Sequence, residues 1–222
     1  MDAAVYDYAA ARNCMVDSQL RPNKVTDPRI LNAMRAIPRE QFLPAALRSR
    51  AYVDEDLPLW DGRAFMEPMV LARLIQLAAP TDGERVLVVG CGAGYGAAIL
   101  AACEASVVAL DEDKRLLALA HEVLPGLAPG VTIVEGPLAA GWPAGAPYDI
   151  ILLQGAVRDI PAALGAQLRM DGGRLVTVRT GRGQTGKAVL AEPTPSGLRA
   201  QPVFDCATPL IPSLLAKPGF VF

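Results

Sequence analysis

Val86-Leu87-Val88-Val89-Gly90-Cys91-Gly92-Ala93-Gly94-Tyr95-Gly96 decides how the rest of the chain is read. Its first four residues are an unbroken apolar run closed by glycine, the pattern of a strand buried on both faces. Without a Cβ the backbone turns sharply there and comes close to a ligand before a helix, Tyr95–Cys103, begins. A second apolar run, Ser106–Leu110, follows and ends at Asp111. Ligands of open parallel sheets lie outside the carboxyl ends of the strands, so the turn and Asp111 are expected to face one cleft. Asp111 stands about twenty residues past the turn, the separation at which a carboxylate accepts hydrogen bonds from ribose hydroxyls. The stretch is therefore expected to hold a nucleoside-type ligand, the plainer alternative being a tight packing turn with Asp111 and Asp113 capping the next helix. The dinucleotide spacing G-x-G-x-x-G fits poorly. Begun at Gly90 it requires glycine where Tyr95 stands, and begun at Gly92 it reaches Ala97 but starts late after the strand.

Outward from this unit the same alternation continues. Apolar runs at Val131–Val134, Asp149–Leu153 and Arg174–Val178 are separated by helical stretches at Asp113–Val123 and Ile160–Leu168. Strands alternating with helices imply right-handed crossovers and a parallel sheet covered on both faces, hence an α/β fold. Runs at Ala188–Ala191 and Leu198–Phe204, flanked by turns, predict a hairpin finishing one sheet edge. Upstream, residues 5–20, 28–36 and 68–79 read as helices, with Asp27-Pro28 as an N-cap followed by proline at the first helical position. Residues 1–79 are accordingly expected to form a helical N-terminal extension, to which the resemblance described below adds an active-site loop, and residues 80–222 the core.

Composition narrows the function classes. The chain has 222 residues, 52% of them apolar, a net charge of −2 and a pI near 5.5. Such a chain packs a core without staples. Lacking a broad basic surface, it is not expected to bind nucleic acid. Cys14, Cys91, Cys103 and Cys206 are scattered and His121 is the one histidine, so no structural metal and no disulfide framework are expected. The start, Met1–Ala11, carries two Asp and no basic region, unlike a secretory signal. No window approaches the roughly 18 apolar residues of a membrane helix. A cytoplasmic protein, monomer or homodimer, with no membrane partner is expected.

Several segments in order resemble the protein-L-isoaspartate O-methyltransferase family of class I S-adenosylmethionine (SAM)-dependent methyltransferases. They are Met15-Val16-Asp17-Ser18-Gln19-Leu20, Val25-Thr26-Asp27-Pro28-Arg29-Ile30-Leu31, Pro38-Arg39-Glu40-Gln41-Phe42-Leu43-Pro44, the glycine turn, Gly141-Trp142-Pro143 with Ala146-Pro147-Tyr148-Asp149-Ile150-Ile151-Leu152, and Gln167-Leu168-Arg169-Met170-Asp171-Gly172-Gly173-Arg174-Leu175-Val176. The likeness spans roughly residues 10–180. It implies a Rossmann-like seven-stranded, mostly parallel sheet, with SAM over Gly90, Cys91, Gly92 and Gly94, its ribose on Asp111 and Glu112, and its adenine near Pro137 and Leu138. S-adenosylhomocysteine (SAH) is then the product, and the methyl acceptor a carboxylate of a protein or peptide, or a small carboxylate. Where the family typically carries Gly-Gln-Thr-Ile-Ser-Gln-Pro before the 68–79 helix, this chain has Gly62-Arg63-Ala64-Phe65-Met66-Glu67-Pro68. Both loop hydroxyls are lost. The family's acid two positions before the first glycine is Val88 here, and the Asp of its Gly-Asp-Gly aligns with Pro137.

Methyl transfer from a sulfonium to a carboxylate is governed by positioning and desolvation and needs no general base. The carboxylate does need donors. Arg63 and Glu67 are the candidate catalytic residues of the altered loop, expected to pair across the cleft mouth because Glu67 alone brings the wrong sign to a carboxylate acceptor. An acceptor other than a plain isoaspartyl peptide is expected on the same ground. Two other functions stay open: a non-catalytic SAM-binding or interaction protein, and an NAD-dependent oxidoreductase. His121, Cys91 as a reactive thiol, and the basic pair Arg179 and Arg182 carry blander readings as surface, packing and solvated-loop residues, and Trp60 and Trp142 as packing aromatics. The apolar end Lys217-Pro218-Gly219-Phe220-Val221-Phe222 is expected to dock on its own chain.

Overall fold

A computed structural model describes residues 6–215; the apolar end 217–222 lies outside the described residues. Seven strands form one sheet: β1 Arg85–Val89, β2 Ser106–Asp111, β3 Thr132–Glu135, β4 Ile150–Val157, β5 Arg174–Arg179, β6 Lys187–Thr194 and β7 Gly197–Asp205. Their spatial order is β3-β2-β1-β4-β5-β6-β7. The first five run parallel. The last two turn back antiparallel as the expected edge hairpin. The α/β class, the seven strands and the mostly parallel sheet thus follow the sequence reading.

Pleating sends alternate residues to opposite faces. Val86, Val88, Ile150, Leu152, Val176 and Val178 belong to one core with the N-terminal helices. Leu87, Val89, Ile151, Leu153 and Leu175 belong to a thinner second core with Leu138, Tyr148 and Leu164. The first face carries α1 Tyr8–Met15, which opens into a wider turn at Val16–Leu20, α2 Pro28–Ala36, α3 Pro68–Ala78, α4 Tyr95–Ala102 and one side of α5 Lys114–Leu127. Asp27 caps α2 through the Arg29 amide, 2.9 Å away, with Pro28 at the first position. The start of this helix is thus specified locally.

One expected helix is corrected. Over 160–168 only a single turn forms, α6 Ala162–Gly165. The Tyr148 amide donates to the Gln167 carbonyl and the Arg169 amide to the Tyr148 carbonyl, each at 2.8 Å, so residues 167–169 are drawn alongside Tyr148 as extended chain. Among the described residues no helix is long and apolar enough to cross a membrane.

Two features aim the sheet's carboxyl end. The β4 pairing with β5 shifts register between Leu152 and Ala156, and the tail returns to this bulge: the Ala156 amide donates to the Pro209 carbonyl at 3.0 Å and the Ile211 amide to the Ala156 carbonyl at 2.9 Å. At the bulge Gly155 has φ +154°, and a Cβ there would stand 2.5 Å from Ile211 Cγ1. Gly155→Ala is therefore expected to lower stability by about 1–3 kcal/mol, read as a reduced urea midpoint. Adding Ile211→Ala should recover part of the loss. A single variant as stable as wild type would show that the tail is not seated on β4.

Candidate active site

The carboxyl ends of β1 and β2 meet at Asp111, whose side chain is fully buried. The Gly92 amide donates to Oδ2 at 2.7 Å, and the amides of Glu112 and Asp113 donate to Oδ1 at 2.8 and 3.0 Å. Gly90, Gly92 and Gly94 take φ values of 72°, 61° and 97°, where side-chain-bearing residues are strained. A Cβ on Gly94 would stand 2.6 Å from a Leu124 methyl, so this glycine also sets how closely α4 and α5 approach. Cys91 is buried, its Sγ facing the Gly92 carbonyl at 3.4 Å, and burial pushes its thiol well above the ordinary range. It is a packing residue, not a reactive one.

A hairpin covers this turn. Leu57–Pro58 pairs antiparallel with Ala64–Phe65, and Asp61 and Gly62 close it with φ of 55° and 72°, as a two-residue turn of the I′ kind requires. Asp-Gly is the sequence signal that marks this turn, and the stretch Tyr52–Arg63 reads only as polar and turn-rich without it. The turn delivers Arg63 onto Asp111: Nη1 donates to Oδ1 at 2.8 Å and Nη2 to Oδ2 at 2.7 Å, a bidentate fork. The hairpin tip is held beside it. The Trp60 indole donates to Asp113 at 2.7 Å, and Arg115 lies 4.7 Å over the Trp60 ring while pairing with Asp61 and Asp113. Asp113 also caps α5 through the Arg115 amide at 2.9 Å. Its hydrogen bond to the Arg115 side chain holds its carboxyl well below the usual range.

The expected pairing of Arg63 with Glu67 is thereby corrected. Arg63 finds a planar two-oxygen partner in Asp111. Glu67 lies at the start of α3 near Asp56 and Asp54, and its neighbours in charge are mostly acidic. Arg39 is the cation on that side. It is buried, donates to the carbonyls of Ala51 at 2.7 Å and Met66 at 2.6 Å, and stacks 3.9 Å over Phe65 and 4.9 Å over Tyr95. Burial lowers its pKa to about 10. Asp56 accepts from the Glu67 amide and from the Thr208 hydroxyl, both at 3.0 Å. Sequence reasoning gave neither residue a role, because each acts through backbone carbonyls and amides far along the chain.

At the opposite end of the cleft, Pro137 precedes a short 3₁₀ turn, Leu138–Ala140. The Leu138 amide reaches Glu112 Oε2 at a long 3.4 Å. Gly90, Cys91, Gly92, Asp111, Glu112 and Leu138 thus come together, with Pro137 at the rim. Arg179 ends β5 and Arg182 lies in the loop after it, both exposed and outside this cluster, and His121 is exposed on α5.

An open sheet with a glycine turn after its first strand and an acidic residue closing its second is an arrangement that class I methyltransferases share with dinucleotide-binding folds, and the solved structures that superpose on it place the chain in the class I methyltransferase fold. The family model for protein-L-isoaspartate(D-aspartate) O-methyltransferase matches residues 11–191. The chain is 41% identical over 181 residues to a protein-L-isoaspartate O-methyltransferase of Methylorubrum extorquens, covering 82% of this chain and 79% of that one. It is 39% identical over 191 residues to a protein-L-isoaspartate O-methyltransferase 2 of Anaeromyxobacter, covering 86% and 78%. Among solved structures, a protein-L-isoaspartate O-methyltransferase superposes with TM-score 0.78 at 23% identity, over 93% of this chain and 67% of that one. A Plasmodium falciparum protein described as a putative member, in complex with SAH, superposes with TM-score 0.74 at 17% identity, over 89% and 96%. The chain belongs to the protein-L-isoaspartate(D-aspartate) O-methyltransferase family.

Loss of solvent, and then the charges of Asp56 and Asp54, raise the Glu67 pKa to about 7 from an ordinary 4.5. The folded state therefore holds this proton more tightly than the unfolded chain, and stability present below about pH 4.5 is lost as pH rises through about 7. Glu67→Gln is expected to remove that part of the decline. Urea midpoints of variant and wild type should be close near pH 5 and separate in the variant's favour by pH 8; parallel pH profiles would contradict the assignment.

Proposed function

We propose that the chain transfers the methyl group of SAM to a carboxylate of a protein or peptide. The observation that carries this reading is the buried Asp111 carboxylate at the end of β2, joined to the glycine turn by one hydrogen bond from the Gly92 amide. A nucleoside fits this donor and acceptor set. Asp111 accepts from ribose hydroxyls, the Gly90–Gly94 backbone approaches the amino-acid portion, and the weakly engaged Leu138 amide is the donor left for adenine, since Pro137 has no N–H. Family membership and relatives named for the activity support the same cofactor.

SAM supplies an electrophilic methyl carried on a sulfonium. The protein's part is to hold an acceptor carboxylate in line with it and to exclude water. Ala64 and Met66 provide no hydroxyl for that purpose, and Met66 is buried with its carbonyl tied to Arg39. Arg63 is the loop's cation, and its fork on Asp111 shows the geometry with which it takes a carboxylate. We assign it to the acceptor once it leaves Asp111. Glu67 lies apart from that fork, near Asp56 and Asp54, and we assign it a positioning role in which its protonation near neutral pH limits repulsion of the acceptor.

Incubation with methyl-labelled SAM and a set of carboxylate peptides, a plain isoaspartyl peptide among them, should yield a base-labile methyl ester on at least one. Family-typical turnover of the plain isoaspartyl peptide would overturn the expectation of another acceptor. A peptide that takes label should stay unlabelled once its carboxylate is reduced. Label retained on the reduced peptide, or absent from every carboxylate peptide, would sink the reading. Restoring one hydroxyl by Ala64→Thr is expected to raise kcat/KM for the isoaspartyl peptide about tenfold, the worth of one hydrogen bond to a charged group.

A further inference from the structure

We infer that Arg63 is a latch on the cofactor site: in the ligand-free chain its guanidinium occupies the positions on Asp111 that ribose hydroxyls require, so a nucleoside enters only when the hairpin tip swings out. The inference rests on the proposed cofactor reading and adds to it a competition within the chain itself.

Asp111 carries the first observation. A carboxylate offers about four lone-pair sites. Here five donors converge on it, three backbone amides and both ends of the Arg63 fork. With the fork in place the carboxylate carries one donor more than its lone-pair sites, and without it the three amides leave room for a ribose hydroxyl. Arg63 is the exchangeable member, because the three amides belong to the glycine turn and to the exit of β2, whereas Arg63 comes from a hairpin tip 48 residues away.

Space gives a second, independent observation. The whole turn Gly90–Gly94 is buried. Beside it, between Arg63, the β4 bulge and the tail, lies a small cavity of about 10 Å³ that no residue of the turn lines. A drug-sized ligand takes several hundred cubic ångströms. Arg63 Nη2 and an Ile211 methyl each stand 3.7 Å from where a Cβ on Gly90 would be, and Pro212 closes on Gly62 from the tail side. Side chains of this chain therefore crowd the turn at Gly90, whereas a Cβ on Gly92 would meet nothing within 4 Å.

The hairpin is built to move at its tip and not at its base. Arg39 and Asp56 fix Met66 and Glu67 from within the core. The tip is held by surface groups, Trp60 on Asp113 and Asp61 on the half-exposed Arg115. The fork itself is nearly dry, with Arg63 and Asp111 side chains 10% and 0% exposed. Its opening thus sets the fraction of chains competent to bind, and apparent affinity is intrinsic affinity scaled by that fraction.

Calorimetric titration of SAH into wild type, Arg63→Gln and Arg63→Ala tests this, with thermal midpoints measured alongside and hydrogen exchange followed on the free and SAH-saturated wild type. Expected are roughly tenfold or greater gains in SAH affinity for both variants, and faster exchange of amides 60–64 in wild type when SAH is bound. Wild-type SAH binding with equal or weaker binding by both folded variants overturns the latch and leaves the cofactor reading standing. No SAH binding by wild type or by either folded variant overturns both. If a variant does not fold, slower or unchanged exchange at 60–64 in SAH-bound wild type is the contradicting result.

Discussion

A carboxylate buried without solvent is costly unless its charge is met by donors, and Asp111 is met from three directions at once. The glycine turn supplies one amide, the exit of β2 supplies two, and the hairpin 57–65 supplies a guanidinium. Removing one partner of such a buried pair costs about 3–5 kcal/mol because the other is stranded. That constraint joins the sheet, the turn and the N-terminal region at one point. It also explains why the hairpin lies where it does: the tip is drawn over the sheet's carboxyl end by the same charge that a nucleoside's hydroxyls would approach.

Around that point the structure is graded from rigid to exchangeable. Strands β1 and β4 are buried along nearly their whole length, and the bulge at Gly155 anchors the returning tail. Arg39, stacked between Phe65 and Tyr95 and tied to the Met66 carbonyl, carries that rigidity into the base of the hairpin. Beyond Phe65 the contacts become polar and half-exposed. Surface ion pairs of this kind contribute little each, so the tip is cheap to move apart from its single buried fork.

The sheet was legible in the sequence because buried parallel strands write themselves as short unbroken apolar runs, and Val86–Val89 with Gly90 shows both the strand and its end. Asp27-Pro28 marked a helix start for equally local reasons. Asp111 was legible as an acid that meets the glycine turn, through its distance from it. What stayed hidden was pairing across long separations. Arg63 has two plausible carboxylates in the sequence, Glu67 four residues on and Asp111 far away, and only the positive-φ Asp61-Gly62 turn decides between them. The run 160–168 has helical periodicity, yet Tyr148 captures its end as extended chain. Arg39 and Asp56 hold backbone groups, which leave no mark on residue type.

The most direct measurement is a crystal structure of the chain with SAH bound. The ribose hydroxyls should lie within hydrogen-bond distance of Asp111, with the Gly92 amide still on its Oδ2 and the Arg63 guanidinium withdrawn from the carboxylate. SAH held at another place, or bound over the glycine turn with the Arg63 fork still on Asp111, would contradict it.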